Sequence, residues 1–441
     1  MLFSAFKDYI HKNDMLSNGT RVLAAVSGGA DSVCLLHLLN RLKNAGEITL
    51  FCAHVNHGLR PTAARDEQFV KDICKEWEIP LFTEHADVKK VAQEKKISEE
   101  TAGREVRYAF FEKICEENNI NITFTAHNKC DNAETVLMHL LRGSGLTGLS
   151  GIAPIRDGKI ARPLLPFERC EIEEYLVNNG IKWIEDETNA TDAYARNRIR
   201  HRLLPLLSEF NPRAVDAITS CAEIVRREDA FMDKAAIDAG GIYEENGEVF
   251  IDTKKLENAD LAIIYRVIGY ALDMAGCDAG RVNTERVYAL FEKKGRLQSL
   301  SGSFMAEREG DKIVIYNACK SESFCYDITP SVPTFIKEAG ISILAEKCIA
   351  KGDGNEILYG GGKISVRSRR NGDIFSPSGM RGSKKLKEFF IDMKMPRRLR
   401  DGVPILTVDE KIAYVYPLRR DNKFIPKKGD DALIIHIRGE A

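Results

Sequence analysis

The sequence predicts an α/β protein. An N-terminal doubly wound parallel sheet leads, through a helical linker, to a small α+β middle domain and a small α+β C-terminal domain. Three observations predict this. Through the first half, short apolar runs without helical period alternate with helical patterns, the mark of repeated β-α units whose parallel sheet is covered on both faces. The 441 residues amount to roughly three domains at about 150 residues each. Charge is also unevenly spread. Lys363–Lys428 holds 18 Lys/Arg against 7 Asp/Glu, and the remainder 46 against 58, so that the whole chain carries a net charge of -1.

The elements follow in order. Residues 21–26 (RVLAAV) read as a buried strand, 27–32 as a glycine turn and 33–43 as a helix with one buried face. Strand 48–55, helix 63–77 and strand 80–84 repeat the unit. Ser98 caps a helix over 99–118, followed by strand 121–126 and helix 131–142. Residues 160–207 are less regular and end in an Arg-rich helix. A long linker helix follows Pro212, over 213–237. The middle region carries helices at 261–275 and 283–294 and a hairpin near 303–316. Residues 319–355 read as a strand-rich connection. The last segment has short strands and a helix at 384–393. The predicted domains are 1–210, a linker at 211–240, then 241–320 and 321–441.

Composition narrows the function. Hydrophobic residues at 44% and charged residues at 29% exclude a wholly disordered chain. The 11 cysteines form no CxxC pair, and their odd number fits a reducing compartment. The N terminus lacks a signal-peptide core, and no run approaches the roughly 20 apolar residues of a membrane span. The expectation is a cytoplasmic protein with no membrane partner. The basic C-terminal stretch points to a polyanion or to a solvated charged surface.

In a doubly wound sheet the ligand sits where loops leave the carboxyl ends of the strands. Three segments occupy such loops: 27–32, 54–60 and 127–135. In Ser27-Gly28-Gly29-Ala30-Asp31-Ser32 the glycines admit an anion close to the backbone. The following helix adds free N–H groups and its positive dipole end. The hydroxyls of Ser27 and Ser32 are expected to donate to phosphate. Asp31 would repel phosphate unless it binds Mg²⁺ or a cationic reactant. The loop lacks the lysine of GxxxxGK[ST], which disfavours kinase-like or GTPase chemistry. The alternative is an ordinary glycine turn.

His127 stands at a strand's carboxyl end, which admits a chemical role, although a lone histidine is more often a satisfied structural one. Asp131 and Glu134 are three apart and share a helical face, and as a cap Asp131 would lead with Glu134 as its capping-box acid. His54 and His57 are three apart but have no partners at zinc spacing. Arg104 and Arg107 face phosphate or form surface pairs. Arg196 and Arg200 share a helical face that could hold nucleotide phosphates or RNA backbone, or simply be solvated. Lys384, Lys385 and Lys387, with Arg397, Arg398 and Arg400, lie among Phe389, Phe390 and Pro396, a mixture suited to RNA.

SGGADS resembles the PP-loop of the ATP pyrophosphatase superfamily. HVNHGLR (54–60), REVRY (104–108), AHNKCDNAET (126–135), RGSGLTGL (142–149), RPLL (162–165), Trp183, Asp186 and Asn189 in WIEDETN, and RNRIR (196–200) resemble the successive motifs of the tRNA(Ile)-lysidine synthetase family. So does the terminal stretch from RRNGDIF to DGVPIL. The family pattern HHxDDQxET is kept at His127, Asp131, Glu134 and Thr135. Asn128, Cys130 and Asn132 replace its second histidine, first aspartate and glutamine.

The resemblance implies a PP-loop-type sheet and a ligase that uses ATP and Mg²⁺. It adenylates the wobble cytidine of the CAU-anticodon isoleucine tRNA and displaces AMP with L-lysine. It implies ATP binding by Ser27, Gly28, Gly29, Ala30, Asp31 and Ser32, with Asp31 on Mg²⁺. It implies catalysis by Asp31, His127, Asp131 and Arg196. The tRNA would be held by Arg200, Lys384, Lys385, Lys387, Arg397, Arg398 and Arg400, and the family points to a homodimer. Two other readings stand beside it: a PP-loop tRNA thiolase, for which Cys130 would matter, and a non-catalytic RNA-binding protein.

Overall fold

The computed structural model describes residues 2–56, 63–185, 195–292, 297–318, 323–352, 356–380 and 382–439. The chain divides into two compact units, Met1–Ala235 and Ala236–Ala441. The division falls inside a long helix, whereas the sequence placed boundaries at 210 and 240.

The first unit begins with helix α1 (Leu2–Lys12) and strand β1 (Thr20–Ala25). Helix α2 (Ala30–Asn44), β2 (Ile48–Asn56), α3 (Ala63–Glu76) and β3 (Leu81–His85) follow. Then come α4 (Val88–Lys95), α5 (Glu99–Asn118), β4 (Ile122–Phe124) and α6 (Lys129–Leu141). The short α7 (Leu146–Leu149), β5 (Ile155–Arg156), β6 (Ile160–Ala161) and α8 (Arg169–Asn178) complete the sheet region. The unit ends with α9 (Ala195–Arg198), a π-helical turn (Ile199–Leu203), α10 (Leu204–Phe210) and α11 (Ala214–Ala239).

The sheet has the order β3-β2-β1-β4-β6-β5. All pairs are parallel except the edge pair β5–β6. The chain winds outward from β1 through β2 and β3, then returns to β4 on β1's other side. The crevice between the carboxyl ends of β1 and β4 is therefore the switch point where such sheets bind ligands. Period-two alternation explains why Val22–Ala25 of β1 are apolar on both faces. Val22 and Ala24 pack with α1, α2 and α8, while Leu23 packs with Ala53, Phe110, Phe111 and Ile114 on the α5 side.

Several local expectations are corrected. Helix α2 starts at Ala30, so Asp31 and Ser32 lie in its first turn and not in the preceding loop. Helix α6 starts at Lys129, with Asn128 as its N-cap. Asp131 is thus not the cap. It is the capping-box acid, the place assigned to Glu134. Ser98 does cap α5, its hydroxyl accepting from the Thr101 N–H.

The second unit holds a five-stranded antiparallel sheet within residues 242–317, on which helices Leu261–Met274 and Arg281–Glu292 pack through Val267, Ile268, Leu272, Val287 and Leu290. Farther along, a five-stranded and a four-stranded sheet share one core, including Val366, Leu406, Leu433 and Ile435. The short helix Leu386–Asp392 lies on a separate cluster with Phe375, Phe389, Phe390 and Val415.

Leu23 is fully buried on the central strand, so Leu23→Ala should destabilise the first unit by about 2–5 kcal/mol. The two tryptophans, Trp77 and Trp183, both belong to that unit. Urea unfolding followed by their fluorescence reports on it directly, and an unchanged midpoint would contradict this packing.

Candidate active site

The loop after β1 is built around one hydroxyl. Ser32 Oγ accepts from the N–H groups of Ser27 (3.2 Å) and Gly28 (3.1 Å) and donates to the Gly29 carbonyl (2.9 Å). Ser32 is only 5% exposed. Its expected role as a phosphate donor is therefore corrected: its hydrogen is spent inside the loop, and it shapes the cradle. Gly28 sits at φ +97, and a Cβ there would lie 3.3 Å from Ile184 Cδ1. The positive φ favours glycine, and the Ile184 tip leaves little room for a Cβ. The Ile184 N–H donates to the Gly28 carbonyl at 2.9 Å, which ties the WIE segment to the loop. Gly29 is the N-cap of α2 and offers no capping side chain. The first-turn N–H groups of α2 thus face the crevice without an intrahelical acceptor, and Ser27 beside them is exposed.

Asp31 sits in that first turn. Asn128 Nδ2 donates to its Oδ1 at 3.0 Å. Its Oδ2 has no hydrogen bond to the described residues. Burial pushes the Asp31 carboxyl above its ordinary range, Asn128 opposes the shift and Asp131 adds to it. Asn128 is also tied to Asp131. Its Oδ1 accepts from the Asp131 N–H (3.0 Å), and its own N–H donates to Asp131 Oδ2 (3.1 Å). One amide thus joins the N-termini of α2 and α6 across the switch point. Asn132 Oδ1 accepts from the Ile152 N–H at 2.7 Å and lies where a Gly151 Cβ would be 2.3 Å away.

Behind this bridge is an ion-pair network. Glu134 has no exposed side-chain surface. Arg196 donates to Glu134 Oε2 (2.7 Å) and Asp131 Oδ1 (2.9 Å). Arg200 donates to Glu134 Oε1 (2.5 Å) and to the same Asp131 oxygen (2.9 Å). Two guanidiniums answer two carboxylates. Arg200, expected on tRNA, is held inside this network, and both Asp131 oxygens are engaged. Arg196 remains 34% exposed.

His127 lies between this network and a set of arginines. Burial pushes its imidazole down to about 4, Asp131 opposes the shift, and Arg162, Arg196 and Arg104 add to it. His127 is therefore neutral at pH 7, with Nδ1 3.0 Å from Thr125 Oγ1. Arg104 and Arg156 lie over the Tyr108 ring at 5.1 and 4.4 Å, and Arg162 is buried beside them, 4% exposed. Cys130 is half-buried, and burial pushes its thiol up, so it is not a thiolate at neutral pH. His57, Asp186 and Asn189 lie outside the described residues. His54 is buried and its Nδ1 bonds the Val26 carbonyl at 2.8 Å, a structural part.

In the second unit the basic residues divide. The side chains of Lys385, Lys387 and Arg397 are exposed and make no hydrogen bond or close ion pair with the described residues. Lys384 pairs with Asp392. Arg400 donates through Nε and Nη2 to the Met395 carbonyl (2.9 and 2.7 Å). Arg398 is 7% exposed and pairs with Glu248 and Glu309. Its placement on a tRNA face is corrected, because its guanidinium is consumed by the fold.

Residues 4–207 match the PP-loop domain family, and residues 364–437 match the TilS substrate C-terminal domain. A tRNA(Ile)-lysidine synthase of Clostridium acetobutylicum is 34% identical over 438 residues, which cover 94% of each chain. The chain belongs to the tRNA(Ile)-lysidine synthase family. The synthase of Clostridium perfringens is 34% identical over 92% of this chain and 93% of its own. That of Caldanaerobacter subterraneus subsp. tengcongensis is 34% identical over 98% and 96%. Against the lysidine synthase pattern, Asn128 is the most informative departure. Where the pattern has histidine, this chain links its two acids through an amide that cannot titrate. Sequence reasoning recorded the replacement but missed the bond. The signal was present, since Asn-x-x-Asp is a capping-box spacing.

The His127 environment sets a pH dependence. An unfolded histidine titrates near about 6.5, and His127 near about 4. Between those values the unfolded chain binds more protons, so acidification favours unfolding. Burial pushes His37 and His54 down as well. The first unit should lose stability from pH 7 towards pH 4, and His127→Gln should lose less over that window. Denaturant unfolding at successive pH values checks this; identical pH slopes for the two proteins would contradict it.

Proposed function

We propose that this chain uses ATP to join L-lysine to C2 of the wobble cytidine in the CAU-anticodon isoleucine tRNA, forming lysidine. The observation that carries the reading is the Asn128 bridge. It sets a phosphate-binding helix N-terminus and its carboxylate beside the paired charges of Asp131, Glu134, Arg196 and Arg200, in a chain 34% identical to lysidine synthases.

The chemistry has two displacements. Cytosine O2 attacks the α-phosphorus of ATP and pyrophosphate leaves. The lysine ε-amine then attacks C2 and AMP leaves. The N–H groups at the start of α2, with the Ser27 hydroxyl, hold ATP phosphates. Arg196, the part-exposed member of its network, offers its charge to the carboxylate of lysine. His127 is neutral and hydrogen-bonds beside the reacting atoms. It is not the base for lysine: a base near 4 against an amine near about 10.4 faces a gap of roughly 6 units, or about 9 kcal/mol. The target base must leave its stack to reach the crevice.

The donor set fits Mg²⁺. Asp31 has one carboxylate oxygen held by Asn128 and the other unbonded among the described residues. Mg²⁺ takes one or two carboxylates and completes its shell with phosphates and water. Bound there, it would neutralise charge on the ATP phosphates. Lys385, Lys387 and Arg397 form the tRNA face of the second unit. In this reading residues 1–210 are the catalytic domain, 211–240 the linker, 241–320 the middle domain and 321–441 the C-terminal domain.

Asp31→Ala should abolish pyrophosphate release, a loss of at least about 100-fold, while tRNA binding stays nearly intact. Near-normal release from the folded variant would remove Asp31 from this role. Cys130→Ser should keep most lysine incorporation, because the thiol has no chemical task, whereas Asp131→Asn should lose most of it by unsettling Arg196 and Arg200. The reverse order would favour sulfur transfer. Incubation with ATP, tRNA and radiolabelled lysine tests the reading as a whole: the label should enter the tRNA, and its absence with tRNA binding retained would overturn the proposed reaction.

A further inference from the structure

Arg398 is a heavily committed arginine of the basic C-terminal stretch, 7% exposed. It lies in the turn Arg397–Leu399, directly after Pro396. Its Nε and Nη2 donate to the two oxygens of Glu248, at 2.7 and 2.9 Å. Its Nη1 donates to Glu309. Its guanidinium stands over the Tyr316 ring, 5.4 Å from the centroid. Glu248, Glu309 and Tyr316 belong to three neighbouring strands of the sheet in residues 242–317. One side chain thus spans the three middle strands of a five-stranded sheet.

The neighbouring cations behave differently. Arg397 is exposed on the same turn. Arg400 ties the turn to the Met395 carbonyl, and Met395 packs on the cluster holding Leu386, Phe389 and Phe390. Lys385 and Lys387 flank Leu386 and point to solvent. The free cations and the buried one are therefore parts of one rigid piece, and the buried one sets where that piece sits on the sheet. A bidentate guanidinium–carboxylate pair fixes both distance and plane.

We infer that Arg398 is a positioning residue for tRNA binding: by clamping the turn at 397–399 onto Glu248 and Glu309, it fixes Arg397, Lys385 and Lys387 for the phosphate backbone without touching RNA. This rests on the tRNA reading above.

A residue that positions and a residue that contacts phosphate give opposite results in two measurements. The first is the charge at Glu248. Removing an acid near a polyanion site should leave binding unchanged or tighten it, unless that acid holds the clamp. Full-length Glu248→Gln, nearly isosteric, should weaken tRNA binding by about tenfold and raise the KM for tRNA while leaving that for ATP unchanged. The second is salt. Loss of a phosphate contact lowers the slope of log K against log salt by about one. Full-length Arg398→Met should bind more weakly with the wild-type slope, whereas Arg397→Ala should lower the slope. Binding by Glu248→Gln as tight as wild type, or a reduced slope for Arg398→Met, would overturn the inference alone. Wild-type protein that fails to bind tRNA would overturn it together with the reading beneath it.

Discussion

The Glu134 carboxyl has no exposed side-chain surface, and the rest of the crevice is arranged around answering it. A buried carboxylate is tolerated only when paired and hydrogen-bonded. Arg196 and Arg200 supply that pairing, and in doing so they bring the 195–210 stretch against α6. Both guanidiniums have capacity to spare and extend to Asp131. Asp131 then closes the capping box with Asn128, and Asn128 reaches Asp31. A chain of five charged side chains and one amide runs from a buried core position to the phosphate loop. Any change at Glu134 is felt at Asp31 without a shared contact.

The phosphate loop shows the same economy. A hydroxyl that could have gone to a ligand instead takes two loop N–H groups and returns its proton to a third residue. The loop backbone is thus held in one shape by its own hydrogen bonds.

Much of this was legible in the sequence, and the reasons are physical. The strands β1 to β4 are short apolar runs between turn residues, a local pattern, and the switch point follows from their order. Helix boundaries were legible to within a few residues. Helices α1 and α4 were not foreseen, because their apolar faces are carried by only a few residues in lengths of 11 and 8. Asn128 reads as a replacement but not as a cap in the sequence, because the acid at 131 read as the cap puts the helix start at 131, two residues late. Arg398 was beyond local reading. Its partners stand 150 and 89 residues away, and nothing in the run Arg397-Arg398-Leu399-Arg400 says which cation turns inward. Only packing separates the exposed arginine from the structural one.

The π-helical turn at Ile199–Leu203 gives the 195–210 stretch an unusual intolerance. A π turn holds one residue more than an α turn. Deleting that residue would restore regular geometry and rotate everything beyond it by about 100°. Leu204 and Leu207 pack with Ala133 and Leu137, whereas Arg196 lies before the irregularity and Arg200 within it. A single-residue deletion would therefore force a choice between the apolar seam and the buried charges. Sequence length in this segment is thus constrained as tightly as sequence identity, although no residue of the turn itself need touch a substrate.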